Sequence, residues 1–203
     1  MSGKRIVITG AASGIGAAAV AQHLADGDQV VALDVKPITA KVQQALRCDM
    51  ADPASISAAL AAIDGPVDAL LNIAGLPGTV APELIMRVNT LGLRAITQGL
   101  IDRLQRGGAI VNVASIAGFN WARHLKDINE LLATPSYEAG VEWCAAHPMD
   151  GNTAYHFSKE CVVVYTMQMA GPALARKRAS ARAGAHRRVA HAGASSAWGD
   201  TRV

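Results

Sequence analysis

Apolar positions along this chain fall into short continuous runs and longer periodic ones, and the two kinds alternate. Ile6-Val7-Ile8 is brief and β-branched, which predicts a strand buried on both faces. Thr9-Gly10 breaks it, and Ala17 to Leu24 supplies a helix. Gln29–Leu33 predicts a second strand ending at Asp34. Thr39–Leu46 reads as a short helix and Arg47-Cys48-Asp49 as the end of a third strand. Asp52-Pro53 has the residue types of an N-cap and a first helical position. Ala69–Ile73 is a fourth strand, Pro82–Arg106 a long helix stopped by Gly107-Gly108, and Ala109–Val113 a fifth strand finishing at Ser115. Residues 116–151 are less regular, with short helices expected over Lys126–Ala133 and Glu138–Ala146. Asn152–Lys177 is the last helix, weakened or kinked at Gly171-Pro172.

This alternation of strand and helix predicts an α/β fold: a Rossmann-like, doubly wound parallel sheet with helices on both faces. Ligands of such sheets sit at the carboxyl ends of the strands. Asp34, Asp49, Asn72, Gly75 and Ser115 all fall there.

The chemistry begins in the first crossover. Gly10, Gly14 and Gly16 lie between a strand and a helix N-terminus. Glycines let the backbone turn tightly and approach a phosphate, and the first helical N–H groups then face the anion. A glycine triplet alone says little; here the strand and the helix that give it meaning are present. Asp34 follows about 20 residues later, where a carboxylate binds the ribose hydroxyls of NAD and repels the 2′-phosphate of NADP. A solvated strand-end Asp is the plainer reading, and Lys36 blurs the preference. Asp49 could accept a hydrogen bond from an adenine amino group.

Tyr155 and Lys159 stand one helical turn apart on one face of the last helix. A cation beside a phenol favours the phenolate, so Tyr155 could pass a proton to or from a substrate oxygen that Ser115 also holds.

Composition narrows the class. The chain has 203 residues, 51% of them hydrophobic, enough for one buried domain. No apolar run is long enough to cross a membrane, and MSGKR leads straight into the first strand without room for a signal peptide. Cys48, Cys144 and Cys161 show no framework spacing, which fits a reduced, cytoplasmic setting. The net charge of +3 is uneven. Residues 176–203 hold seven Lys/Arg and one acid, for +6, which leaves −3 for residues 1–175. The chain therefore divides into a dinucleotide-binding and catalytic domain, 1–175, with an insert at 116–151, and an atypical basic tail, 176–203. The tail is mostly Arg, Ala, Gly, His and Ser, has no strand period, and is expected to be disordered. Nucleic-acid binding through its arginines competes, but Trp198 is the tail's one aromatic residue, so no nucleic-acid partner is expected. Trp121, Tyr137 and Trp143 make the insert either an apolar cap over the active-site mouth or a packing or dimer surface.

The chain resembles the short-chain dehydrogenase/reductase family. The matching pieces are Thr9-Gly10-Ala11-Ala12-Ser13-Gly14-Ile15-Gly16, Asp34, Asp49-Met50, Asn72-Ile73-Ala74-Gly75, Val88-Asn89, Ser115 and Tyr155-His156-Phe157-Ser158-Lys159. The resemblance implies catalysis by Asn89, Ser115, Tyr155 and Lys159. It implies cofactor binding by Gly10, Ser13, Gly14, Ile15, Gly16, Asp34, Asp49, Met50, Asn72, Ala74, Gly75, Tyr155 and Lys159, and no metal. Ile73 replaces the second Asn of the family's Asn-Asn-Ala-Gly element. The implied reaction is NAD-dependent interconversion of a small-molecule alcohol and a carbonyl, with NADP the lesser choice; an inactive remnant that at most binds a dinucleotide is the alternative. A homo-oligomer is expected of the intact family fold.

Two departures stand out. Ser115 and Tyr155 are 40 residues apart, which resembles the long-insert branch containing coniferyl-alcohol dehydrogenase and 3α-hydroxysteroid dehydrogenase/carbonyl reductase. Beyond residue 175 the family's sixth strand, Pro-Gly turn, substrate-loop helix and seventh strand have no counterpart in the pattern, as in a truncated or frameshifted chain. The last strands are expected to be missing. The sheet then ends at Ala109–Val113 or pairs with a poor substitute beyond it.

Overall fold

The computed structural model describes the backbone of residues 3–175 and 179–184. Six strands, β1 (Arg5–Thr9), β2 (Gln29–Asp34), β3 (Gln44–Arg47), β4 (Val67–Asn72), β5 (Leu104–Val113) and β6 (Ala179–Gly184), form one parallel sheet in the order β3-β2-β1-β4-β5-β6. Helices α1 (Gly14–Ala25), α2 (Pro53–Ala62), α3 (Pro82–Met86), α4 (Leu93–Leu100) and α7 (Gly151–Ala175) make the crossovers, and α5 (Leu125–Leu132) and α6 (Tyr137–Ala146) belong to the insert. The central strands read as unbroken apolar runs because both faces are covered. Ile6, Ile8, Val30 and Ala32 pack against α1 through Val20, while Val7, Val31, Leu33, Leu70 and Ile110 join the larger core beneath α2, α4 and α7.

Two expectations are corrected. The helix predicted at Thr39–Leu46 does not form. Pro37 leads into a loop whose Ile38 and Val42 cover the α1-side core, and Gln44–Arg47 pairs with Val31–Asp34 as an edge strand. Val31, Ala32 and Leu33 are fully buried, so their outward N–H and C=O groups need partners, and that need outweighs local helix preference. The long helix predicted at Pro82–Arg106 is divided. A π-helical turn, Arg87–Gly92, separates α3 from α4, a 3-10 turn follows at Ile101–Arg103, and β5 has begun by Leu104. Gly107-Gly108 therefore lies inside β5. Gly107 adopts φ +83°, and the pairing shifts from Val67↔Leu104 to Ala69↔Ala109, so the glycines make a bulge rather than a helix stop.

At the tail, one of the two outcomes expected of the sheet edge is found. Residues 179–184, ASARAG, run parallel to β5 from Gly108↔Ala179 to Val113↔Gly184. The sheet takes the poor substitute rather than ending. Pairing is a backbone interaction open to small residues of low strand preference, and the edge of β5 beside buried Ile110 and Asn112 has no other partner. The disorder expected of residues 185–203, and any strand after β6, lie outside the described residues. α7 continues through Gly171-Pro172 to Ala175.

Among the contacts that seat the insert on the body, two side chains stand out. Arg94, 4% exposed, donates to the carbonyl oxygens of Leu131, Leu132, Thr134 and Ser136 and to Thr134 Oγ1, at 2.8–3.3 Å. It closes the carboxyl end of α5, where a cation suits the helix dipole. The Tyr137 hydroxyl donates to the Met50 carbonyl at 3.3 Å. Trp121, Tyr137 and Trp143 all pack with the main core, which favours the packing reading of the insert.

Candidate active site

The carboxyl ends of β1, β2, β3 and β4 surround a cavity of about 520 Å³. Gly10, Ser13, Gly14, Ile15 and Gly16 form its floor, Asp34, Asp49 and Met50 one wall, and Ala74 and Gly75 the other. The floor needs its glycines. A Cβ on Gly16 would come 1.9 Å from the Gly10 carbonyl oxygen, and one on Gly10 2.8 Å from the Ala74 backbone. Ser13 is the N-cap of α1, and its side chain makes no capping bond. Asp34 ties the loop to β2: Oδ2 accepts from Ala12 N at 2.9 Å and Oδ1 from Lys36 N at 2.8 Å. Asp49 Oδ1 likewise accepts from Ala51 N at 2.9 Å. Cys48 also lines the cavity. Burial, with the carboxylates of Asp49, Asp34 and Asp52 nearby, pushes its thiol up to about 11, so it offers no thiolate near neutral pH.

Asn72 does not reach this cavity. It is buried on the α4 side of the sheet, where Nδ2 donates to Thr97 Oγ1 at 2.9 Å and to Asn112 Oδ1 at 2.8 Å, and Asn112 donates onward to Thr166 Oγ1. That chain couples β4, β5, α4 and α7 from below.

Lys159 and Asn89 meet beside Gly75, and the Tyr155 ring lies next to Lys159. Lys159, 6% exposed on α7, donates through Nζ to the Val113 carbonyl at 3.0 Å, and Nζ lies 6.0 Å from the Tyr155 ring centroid. A Cβ on Gly75 would sit 3.4 Å from Lys159 Nζ and 3.5 Å from Asn89 Oδ1. Asn89, 1% exposed in the π-helical turn, accepts from Leu76 N at 2.7 Å and donates to the Leu76 carbonyl and to Ser158 Oγ. Irregular turns of this kind recur at functional sites because they re-aim one side chain within a helix. Ser115 caps the 3-10 segment Ile116–His124, its Oγ accepting from Ala117 N at 3.2 Å. The same segment presses on α7, where a Cβ on Gly118 would meet the Lys159 carbonyl at 2.7 Å. Burial lowers the Lys159 ammonium from 10.5 to about 8.

Two supporting residues had no role in the sequence reading. Thr9 Oγ1 accepts from Ile73 N and Ala74 N at 3.0 and 3.1 Å and holds the wall of the cavity to its floor. Ser158 donates to the Tyr155 carbonyl and accepts from Asn89. Both lie within quoted motifs, but neither points at a ligand, so only their cross-chain partners reveal what they do.

A family model described as short chain dehydrogenase matches residues 4–126. A coniferyl-alcohol dehydrogenase of a Pseudomonas species is 33% identical over 170 residues, covering 84% of this chain and 67% of the relative. Other curated relatives are spanned over 53–63% of their length, a 2-(R)-hydroxypropyl-CoM dehydrogenase of Xanthobacter autotrophicus among them at 35% identity over 55% of this chain. In structure, the 3-alpha-hydroxysteroid dehydrogenase of Pseudomonas sp. B-0831 complexed with NADH superposes with a TM-score of 0.74 at 28% identity, over 89% of this chain and 70% of that one.

Proposed function

The chain belongs to the short chain dehydrogenase family, and on that premise we propose that it interconverts an alcohol and a carbonyl with NAD as hydride carrier. One observation carries the reading: Lys159, beside the Tyr155 ring, reaches Gly75 at the wall of the glycine-floored cavity. Proton chemistry thereby borders the cofactor cleft.

The cavity suits the dinucleotide, since its floor has the backbone approach that a pyrophosphate needs and that a Cβ would fill. Gly10, Gly14, Ile15 and Gly16 take the pyrophosphate, Asp34 the adenosine ribose, Asp49 and Met50 the adenine, and Lys159 the nicotinamide ribose. Bound NAD supplies the hydride acceptor. Tyr155 takes the proton of the substrate hydroxyl, or returns it to the carbonyl oxygen. Ser115 Oγ accepts from Ala117 N, so its O–H is free to donate to that same oxygen. Lys159 as a cation stabilises the phenolate that Tyr155 becomes. Asn89 anchors the Leu76 turn and joins the proton relay.

Asp34, held by two backbone donors, presents a fixed carboxylate, which supports NAD over NADP. The free cysteines Cys48, Cys144 and Cys161 support a reducing, cytoplasmic setting. No helix among the described residues is long and apolar enough to cross a membrane. The relatives suggest an aromatic allylic alcohol or a 3α-hydroxysteroid as substrate. The test is calorimetry with NAD and NADP, followed by NAD reduction with coniferyl alcohol and with a 3α-hydroxysteroid. Affinity for NAD should exceed that for NADP by about tenfold or more. Equal or tighter NADP binding removes Asp34 from its role, and NAD binding without turnover of either alcohol selects dinucleotide binding alone.

A further inference from the structure

A second cavity, of about 600 Å³, opens between the insert and α7. It shares no residue with the glycine-floored cavity, and none of Asn89, Ser115, Tyr155 and Lys159 lines it. Successive residues of a helix point about 100° apart. α7 therefore turns Tyr155 and Lys159 to the catalytic side, and His156 and Glu160 to this one.

Two observations define what it would take. The first is charge. Glu160 and Asp127 line the cavity, and no Lys or Arg does. The Glu160 side chain is 2% exposed; Oε2 accepts from His124 Nδ1 at 2.7 Å, and a carboxylate has acceptor capacity for about four bonds. A nearly dry carboxylate with capacity to spare discriminates strongly for a donor cation, because water competes weakly there. The second is a rigid apolar wall. Trp143 stacks with His147, at 3.9 Å and 14°, and with Phe157, at 5.8 Å and 8°. Held by these two rings, Trp143, with Met149 and Pro148, offers a preformed apolar surface. A metal ion does not suit the site: among the described residues no group of three or more His, Cys, Asp or Glu could hold one.

We propose that this cavity binds a small organic cation, an ammonium or amidinium head on an apolar body of about one ring. The head meets Glu160, with Asp127 at the rim, and the body lies against Trp143 and Met149. The assignment is independent of the dehydrogenase reading, since it uses a different face of α7.

Benzamidine is the probe. Calorimetry of the full chain should show one saturable site. Benzoate, with the same ring and the opposite charge, should bind about tenfold more weakly or not at all. Glu160→Gln keeps the shape and removes the charge, and should weaken benzamidine about tenfold or more. Asp127→Asn, on the exposed rim, should weaken it about two- to threefold without threatening the fold. Saturating NAD should leave the affinity unchanged. The proposal fails if benzamidine shows no saturable site, if benzoate binds equally well, if NAD displaces benzamidine, or if a folded Glu160→Gln protein binds it as tightly. Should Glu160→Gln fail to fold, an unchanged affinity in Asp127→Asn overturns it as well.

Discussion

In the cofactor half, Gly16 touches Gly10, Asp34 bonds Ala12, and Thr9 bonds Ala74. Those partners come from three adjacent parallel strands and the loops that leave them. In the catalytic half, Ser115 and Tyr155 stand 40 positions apart across the insert, Asn89 hangs from an irregular turn, and the outermost strand is ASARAG. The first half is built by short crossovers and backbone shape. The second relies on long-range packing of single side chains from separate elements. Binding and turnover should therefore respond to different substitutions, and that separation can be tested from both sides.

Tyr155→Phe is the largest expected effect. The hydroxyl moves the proton but does not hold the dinucleotide, so turnover should fall by about 10²–10⁴-fold while NAD affinity stays nearly the same. Steady-state rates with coniferyl alcohol and calorimetry with NAD read the two quantities separately. Retention of most of the activity would remove Tyr155 from the catalytic group. Gly16→Ala attacks the other half. Its Cβ would collide with the Gly10 carbonyl, so the loop must shift, at a cost of about 1–3 kcal/mol in stability. Here NAD binding and turnover should fall together. A mutant that binds NAD normally would show that the floor does not need close backbone approach.

What the sequence made legible follows the same division. The glycine floor, Asp34 and the Tyr155/Lys159 pair are carried by local spacing, and the described cavity gathers the loop residues as that spacing implies. Asn72 illustrates the limit. Its place at a strand end marks it as near the cofactor, but a strand end has two faces, and the side chain turns to the buried one, toward Thr97 and Asn112. The helix predicted at Thr39–Leu46 gives way to a strand, and Ala179–Gly184 forms one without a strand period, for one shared reason. Both segments are recruited by the unpaired edge of a buried neighbour, a demand that no property of their own residues announces.

Lys159 sharpens the comparison on the stability side. Burial lowers its ammonium to about 8, so below that pH the folded chain bears the cost of a buried cation. Between pH 8 and 10.5 the unfolded chain binds the extra proton, so this group's contribution to stability rises with pH through that window. Lys159→Met should abolish turnover and yet stabilise the protein at pH 7. The gain is about 2 kcal/mol: roughly 3 from relieved burial, less about 1 for the bond to the Val113 carbonyl. Urea unfolding of both proteins at several pH values measures it. The difference between them isolates Lys159 from Cys48 and Cys144, whose raised thiols also titrate in alkaline solution. The mutant's advantage should shrink as pH rises from 8 toward 10.5. An advantage that grows over that range, or none at pH 7, would show that the lysine is not held at a cost.

The smallest effect is expected where the second half is weakest. β6 pairs with β5 through a sequence, ASARAG, of low strand preference. Ala181 stands in register with Ile110, midway along the pairing with β5. Val differs from Ala in strand preference by a fraction of a scale that spans about 1 kcal/mol. Ala181→Val should therefore stabilise the protein by up to about 1 kcal/mol, which in a domain of this size raises Tm by about 2–4 °C. In the first half the opposite change should be far more costly. Val31 lies fully buried in β2, and Val31→Ala empties a packed site there. Thermal unfolding of the two variants compares the halves directly. If Ala181→Val leaves Tm unchanged or lowers it, then β6 does not limit the stability of the sheet, and the contrast between a well-encoded half and a recruited edge is wrong at that edge.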